Sequence, residues 1–371
     1  MRRKIYQELL QWKQRSGESA LLVQGARRVG KSYIVEAFAK AEYKSYILID
    51  FNLVDQPVKE MFEHDLVDLK TFFMKLTTYY GVKLYERESL IIFDEVQLFP
   101  RARSAIKYLV ADGRYDYIET GSLISIRENV KDILIPSEED HVDMYPLDFE
   151  EFLWANGNDT MMDFIRDCYR KKAPLGQALH RKAMDLFRQY LIVGGMPQAV
   201  NAFVKHNDFD EVDRVKRRIL NLYRDDIRKH AKGYEMKVEA IYDEIPSQMK
   251  NQNQHFKLSS LKQGARFDEY KDAMFWLSDA MIVNHCYNAT EPTFGLNLNR
   301  DRTLLKCYMG DTGLLISHAF DENGIVTGEV YKKLLLDKLE VNMGMVMENM
   351  VAQMLTASGH KLYFYSNSSR S

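Results

Sequence analysis

The sequence predicts an α/β fold built on a parallel sheet, followed by helical and mixed segments, and three observations lead to it. Short apolar runs alternate with helically spaced ones through the first 147 residues. Residues 25–32 read GARRVGKS where an apolar run passes into an amphipathic one, and residues 90–95 read LIIFDE, an apolar run ending in two carboxylates.

At 371 residues the chain exceeds one ordinary domain, and its 46% hydrophobic and 28% charged residues suit folded cores. Fifty-one Lys and Arg against 53 Asp and Glu give a net charge of −2, which excludes a globally basic nucleic-acid coat but leaves local patches open. Cys168, Cys286 and Cys307 lie far apart, so neither a disulfide framework nor a Cys-rich zinc site is expected. The basic amino terminus leads into helically spaced Ile5, Leu9 and Trp12 rather than an apolar leader core, and no run of about 18 apolar residues follows. A cytoplasmic protein with reduced thiols and no membrane contact is the expectation.

The elements follow in order. Residues 20–24 (ALLVQ), 45–51 (SYILIDF), 89–94 (SLIIFD) and 115–120 read as strands, with a weaker fifth near 141–145; residues 31–40 and 66–80 read as helices. Acidic residues crowd 133–165 without a Lys or Arg, and the first domain is placed at 1–147. Residues 148–232 are mostly helical, broken by Gly194-Gly195-Met196-Pro197, a turn and helix-start signal. In 233–310 three short helical patterns precede two strand-like runs (MIVNHCY and TLLKCYM), the order of a winged helix. A Met-rich helix over 341–357 and a strand-like KLYFY belong to a final α/β segment, 311–371.

The run Gly25-Ala26-Arg27-Arg28-Val29-Gly30-Lys31-Ser32 satisfies G-x-x-x-x-G-K-[ST] in the strand-to-helix setting that this motif needs. Its glycines let successive backbone N–H groups face phosphate oxygens, and the helix that starts near Lys31 adds its positive end. Lys31 is expected to reach the β- and γ-phosphates and the Ser32 hydroxyl to bind Mg²⁺, with Tyr33 continuing the nucleotide-binding run. Asp94, at the end of its strand, would hold Mg²⁺ or its water, and Glu95 would polarise the attacking water. Thr120 or Ser122, after the next strand, would sense the γ-phosphate, and Gln97 either orients water or Glu95 or is a plain loop amide.

With GARRVGKS, IIFDEVQ, ETGS, YPLDFEEFL and VGGMPQAV in place, nearly the whole chain resembles the prokaryotic AAA-type P-loop ATPases related to the archaeal ATPases, whose P-loop domain precedes a region of unknown function. The resemblance implies an ASCE-type core with strand order 5-1-4-3-2, a helical segment, a winged helix, and ATP and Mg²⁺ as cofactors. It also implies that Pro197 packs on adenine, against the alternative of a helix-start turn. Relatives continue into a restriction-endonuclease-like core with an Asp and a Glu-x-Lys pair; here Glu348 and the KLYFY strand are present but the chain stops before that pair, so no nuclease activity is expected.

Eight basic residues crowd 214–232, with Arg214, Arg217, Arg224 and Arg228 near one helical face. A solvated helix face, a phosphate-backbone contact and an arginine finger all fit. The winged-helix recognition position, 266–279, exposes Asp268, Glu269, Lys271 and Asp272, which disfavours a major groove and favours protein packing. The leading expectation is an Mg²⁺-dependent ATPase whose hydrolysis switches the P-loop domain relative to the rest, with a protein partner or homo-oligomer. A nucleotide-gated DNA- or protein-binding regulator, and less favourably a small-molecule kinase, are the alternatives.

Overall fold

The computed structural model describes residues 1–15, 17–121, 138–251, 255–320 and 343–366. The chain divides into two compact units: Arg3–Met144, and Tyr145–Ser371 together with Met1–Arg2.

The Arg3–Met144 unit starts with helix α1 (Ile5–Gln14), whose Ile5, Leu9 and Trp12 are buried at helical spacing. Strands β1 (Ala20–Gly25), β2 (Ser45–Asp50), β3 (Ser89–Asp94), β4 (Asp116–Gly121) and β5 (Glu139–Met144) form one sheet in the order β2-β3-β4-β1-β5, every pair parallel. This is the expected 5-1-4-3-2 order read from the opposite edge. Between the strands run α2 (Lys31–Glu42), α3 (Gln56–Glu60), α4 (Leu69–Tyr80) and α5 (Pro100–Asp112). β3 and β4 are buried along their whole length, as interior strands of a parallel sheet must be. β5 sits at an edge and alternates buried with open positions, which is why its sequence signal is weak.

The helix expected over 66–80 begins later, at Leu69, because Asp68 accepts the Lys70 and Thr71 N–H groups and caps it there; Met61–Asp65 just before is a single π-turn. Phe51, Phe62, Phe72 and Phe93 pack edge to face beneath this segment, with Phe62 and Phe72 centroids 5.1 Å apart. A three-residue ionic cluster lies among the buried charges of the same unit. Arg103 of α5 donates to Glu139 at 2.9 Å and stands 3.6 Å from Glu119, whose carboxyl is raised well above its usual range by burial and by the Glu139 charge.

In the second unit, α6 (Phe149–Ala155) carries the YPLDFEEFL run, and a reciprocal capping box explains its start. Asp148 accepts the Glu151 N–H at 2.9 Å and Glu151 accepts the Asp148 N–H at 3.1 Å. Helices α7 (Met161–Lys171), α8 (Gln177–Val193), α9 (Pro197–His206), α10 (Phe209–His230), α11 (Glu235–Lys250) and α12 (Phe267–Asp279) follow. Then come β6 (Val283–Ala289), β7 (Arg300–Met309), α13 (Thr312–Ala319), α14 (Met343–Ala357) and β8 (Leu362–Phe364). β6 pairs antiparallel with β7 and parallel with β8. Of the three helical patterns expected before this hairpin, the middle one is a single 3₁₀ turn, Leu258–Ser260.

The Gly194-Gly195 turn between α8 and α9 is held by a buried polar hub. Asp311 accepts the Gly195 N–H at 2.5 Å and the Leu314 N–H at 2.9 Å, while the fully buried Lys216 ammonium donates to Ile192 O and Gly313 O. Burial pushes the Asp311 carboxyl up and the Lys216 ammonium down to about 8, and their mutual charge opposes both effects. Gly195 is obligatory here, because a Cβ would lie 2.1 Å from Leu147 O. Gln353 of α14 joins the hub, accepting from Thr312 and donating to the Tyr190 hydroxyl, which donates in turn to Leu147 O.

Candidate functional site

The carboxyl ends of β1, β3 and β4 lie side by side in the sheet, and each delivers one piece of the site. After β1 the chain turns through residues 26–30, with Arg28 at φ 72° and Gly30 at φ 96°, and enters α2 at Lys31. No side chain caps that helix and its first turn holds no acid, so its N-terminal N–H groups suit an anionic ligand. Lys31 is 7% exposed and its ammonium donates to Gly25 O at 3.0 Å and Ala26 O at 3.1 Å.

The Ser32 hydroxyl donates to Asp94 Oδ1 at 2.7 Å, and the Thr120 hydroxyl donates to the same oxygen. Ser32 and Asp94 therefore form one oxygen pair from the start of α2 and the β3 end, and hard oxygen donors of this kind fit Mg²⁺. Glu95 follows in a left-handed backbone conformation, φ 53°, ψ 44°, that a non-glycine residue adopts only at a cost. Its N–H faces Thr120 Oγ1 at 3.4 Å, and its carboxylate accepts from the buried Gln97 side-chain amide. The structure thus brings together Lys31, Ser32, Asp94, Glu95, Gln97 and Thr120. Ser122, the alternative to Thr120, lies outside the described residues. Tyr33 is 63% exposed in the first turn of α2.

Pro197 lies in the other unit, as the first residue of α9 behind Met196 at the N-cap, a place that suits a residue without an N–H. Sequence reasoning missed Arg3. It is 7% exposed and donates to Val29 O of the loop at 3.1 Å, from a position 26 residues upstream that no local pattern marks.

The basic face expected on α10 is largely spent on carboxylates. Arg214 pairs with Glu211, Arg217 with Asp213, Arg224 with Asp243 and Arg228 with Glu239, at 2.7, 2.7, 3.1 and 2.8 Å. This favours the structural reading of that face over a phosphate contact or an arginine finger. Glu348 is likewise engaged, accepting from Lys306 Nζ at 2.8 Å and the Tyr308 hydroxyl at 2.6 Å.

The sheet order, the loop and the Asp-Glu strand end define the Arg3–Met144 unit as a P-loop NTPase fold. Residues 17–153 match a family model described as an AAA domain, and residues 184–323 match one described as a domain of unknown function. Among solved structures, a Walker-type ATPase of Pyrococcus abyssi aligns over 85% of this chain and 95% of its own, at 13% identity and a TM-score of 0.49. The Aeropyrum pernix Orc1 protein in complex with DNA aligns over 88% and 94%, at 9% identity and 0.31. The Thermotoga maritima RuvB Holliday junction branch migration motor aligns over 79% and 90%, at 10% identity and 0.32. No protein with a curated description matches the sequence. Among the described residues no helix is long and apolar enough to cross a membrane.

Proposed function

We propose that the chain binds ATP with Mg²⁺ and hydrolyses it, and that hydrolysis switches the P-loop unit relative to the Tyr145–Ser371 unit. The observation that carries this reading is the 2.7 Å pairing of Ser32 with Asp94, with Lys31 before it and Glu95 directly after. The AAA-domain match over 17–153 supports the nucleotide and the reaction class.

In this reading the N–H groups of residues 26–32 and the start of α2 hold the phosphates, and Lys31 leaves the loop carbonyls to place its charge on the β- and γ-oxygens. Ser32 and Asp94 hold Mg²⁺, which when bound neutralises phosphate charge as a Lewis acid. Glu95, fixed by Gln97, accepts a hydrogen bond from the attacking water and takes its proton. Thr120 touches both the Asp94 carboxylate and the Glu95 N–H, so it links the γ-position to both residues.

Mg²⁺-dependent phosphate release by the purified chain, beside Lys31→Ala and Glu95→Gln, tests this. Glu95→Gln is expected to lose about 100-fold or more in turnover while retaining ATP affinity, and Lys31→Ala to lose tight binding. A Lys31→Ala chain that binds ATP as wild type does would sink the site. Binding without turnover in wild type itself would leave the regulator reading in its place.

A further inference from the structure

A second basic surface lies where sequence reading did not look, around the connection between α7 and α8. Arg170 and Lys171 end α7 with Lys172 at its C-cap, and His180, Arg181 and Lys182 stand early in α8; all six are exposed. Lys171 pairs with Asp167 at 2.7 Å. Arg170, Lys172, Arg181 and Lys182 have no ion-pair partner among the described residues, in contrast to the four arginines of α10.

Helix electrostatics accounts for only half of this charge. Cations in the last turn of α7 face the negative end of its dipole, so Arg170 and Lys171 have a local reason to be basic. The N-terminal end of α8 offers cations no such gain, and its first turn holds no acid. Four cations without ion-pair partners within residues 170–182, in a chain of net charge −2, favour an anionic partner.

An aromatic ring stands beside two of these cations, Arg170 and Lys172. Tyr169 is 85% exposed and lines an open groove of about 590 Å³ with Ile165, Arg170, Lys172 and Leu175. An exposed ring in one groove with a guanidinium and an ammonium group matches the way proteins hold unpaired bases, by stacking the base and neutralising the neighbouring phosphates. A base inside a duplex stack cannot reach such a ring.

We propose that this surface binds single-stranded nucleic acid, with phosphates on Arg170, Lys172, Arg181 and Lys182 and a base stacked on Tyr169. The inference does not rest on nucleotide turnover, and its test contains no ATP. The full-length chain is titrated into a fluorescein-labelled oligothymidylate of about twenty nucleotides, followed by anisotropy between about 50 and 200 mM salt. The double variant Arg181→Ala/Lys182→Ala is expected to bind at least tenfold more weakly and to lower the log–log salt slope by about 1.4, two contacts at about 0.7 each. Tyr169→Ala is expected to lose about tenfold at an unchanged slope, and Arg224→Ala/Arg228→Ala on the paired face to bind as wild type does. Melting curves of these exposed-site variants should overlay that of wild type. Absence of binding at low salt overturns the proposal, as does patch-variant affinity equal to wild type. Equal affinity for a duplex of the same length, or a Tyr169→Ala chain that binds like wild type, overturns the single-strand assignment and leaves a general polyanion surface.

Discussion

Acidification should strip about 3 kcal/mol from the Tyr145–Ser371 unit through one residue, His285. Its ring is buried on β6, 6.1 Å from the Phe275 ring and 6.0 Å from that of Tyr287, and directly across the ladder from Cys307. Neither ring nitrogen has a hydrogen-bond partner among the described residues. Burial alone pushes its pKa from 6.5 down to about 4, because the imidazolium would sit among apolar groups with nothing to solvate it. The sign follows from proton uptake. Above pH 6.5 the ring is neutral in both states; below it the unfolded chain takes a proton that the folded chain refuses until about pH 4. Stability therefore falls with pH through this window, by about 1.4 kcal/mol per pH unit, or about 3 kcal/mol by pH 4. Urea unfolding followed by Trp154 and Trp276, both in this unit, gives the measurement at pH 7.5, 6, 5 and 4.5 for wild type and His285→Leu. The leucine chain cannot titrate there, so the difference between the two curves isolates His285. The difference should tilt by about 2 kcal/mol between pH 7.5 and 5; a difference that stays flat across pH would refute the reasoning, whatever its constant offset.

Two further perturbations test one local support in each unit. Gly195→Ala places a Cβ 2.1 Å from Leu147 O and 2.7 Å from Leu147 N, main-chain atoms that cannot swing aside, so a loss of about 3 kcal/mol in unfolding free energy is expected; an unchanged melting temperature would show that the turn can open freely. Arg3→Met removes the 3.1 Å tie to Val29 O behind the phosphate loop and should weaken binding of a fluorescent ATP analogue by about tenfold at unchanged fold, and equal affinity would reduce Arg3 to a packing role.

Most of the Arg3–Met144 unit was legible because its signals are local. The loop, its flanking strand and helix, and the Asp-Glu strand end each lie within a few residues, and their backbone roles follow from glycine and helix-end physics. What stayed hidden depends on partners brought from afar. Asp311 holds the Gly195 turn from 116 residues away, and Arg3 reaches Val29 across α1 and β1. The middle helix expected before the β6–β7 hairpin shrank to a 3₁₀ turn, in a segment where Ser259, Ser260 and Gly264 weaken any helical preference.

Charge shows the same division between local and distant causes. On α10 the arginines at 224 and 228 look like an anion-binding stripe in sequence, but Asp243 and Glu239 come up from α11 to meet them. On α7 and α8 the basic residues are split by a five-residue connection and form no stripe in sequence, and Arg170, Lys172, Arg181 and Lys182 remain without ion-pair partners among the described residues. A cation matched by a neighbouring carboxylate has little field left for a phosphate, whereas an unmatched one contributes its full counterion release to binding. The number of unpaired cations, rather than the density of basic residues along the chain, therefore decides where an anionic strand would settle. By that criterion the α7–α8 surface, with four such cations among the described residues, is a better place to look than α10, where Arg218 and Lys229 are the exposed cations left without an ion-pair partner.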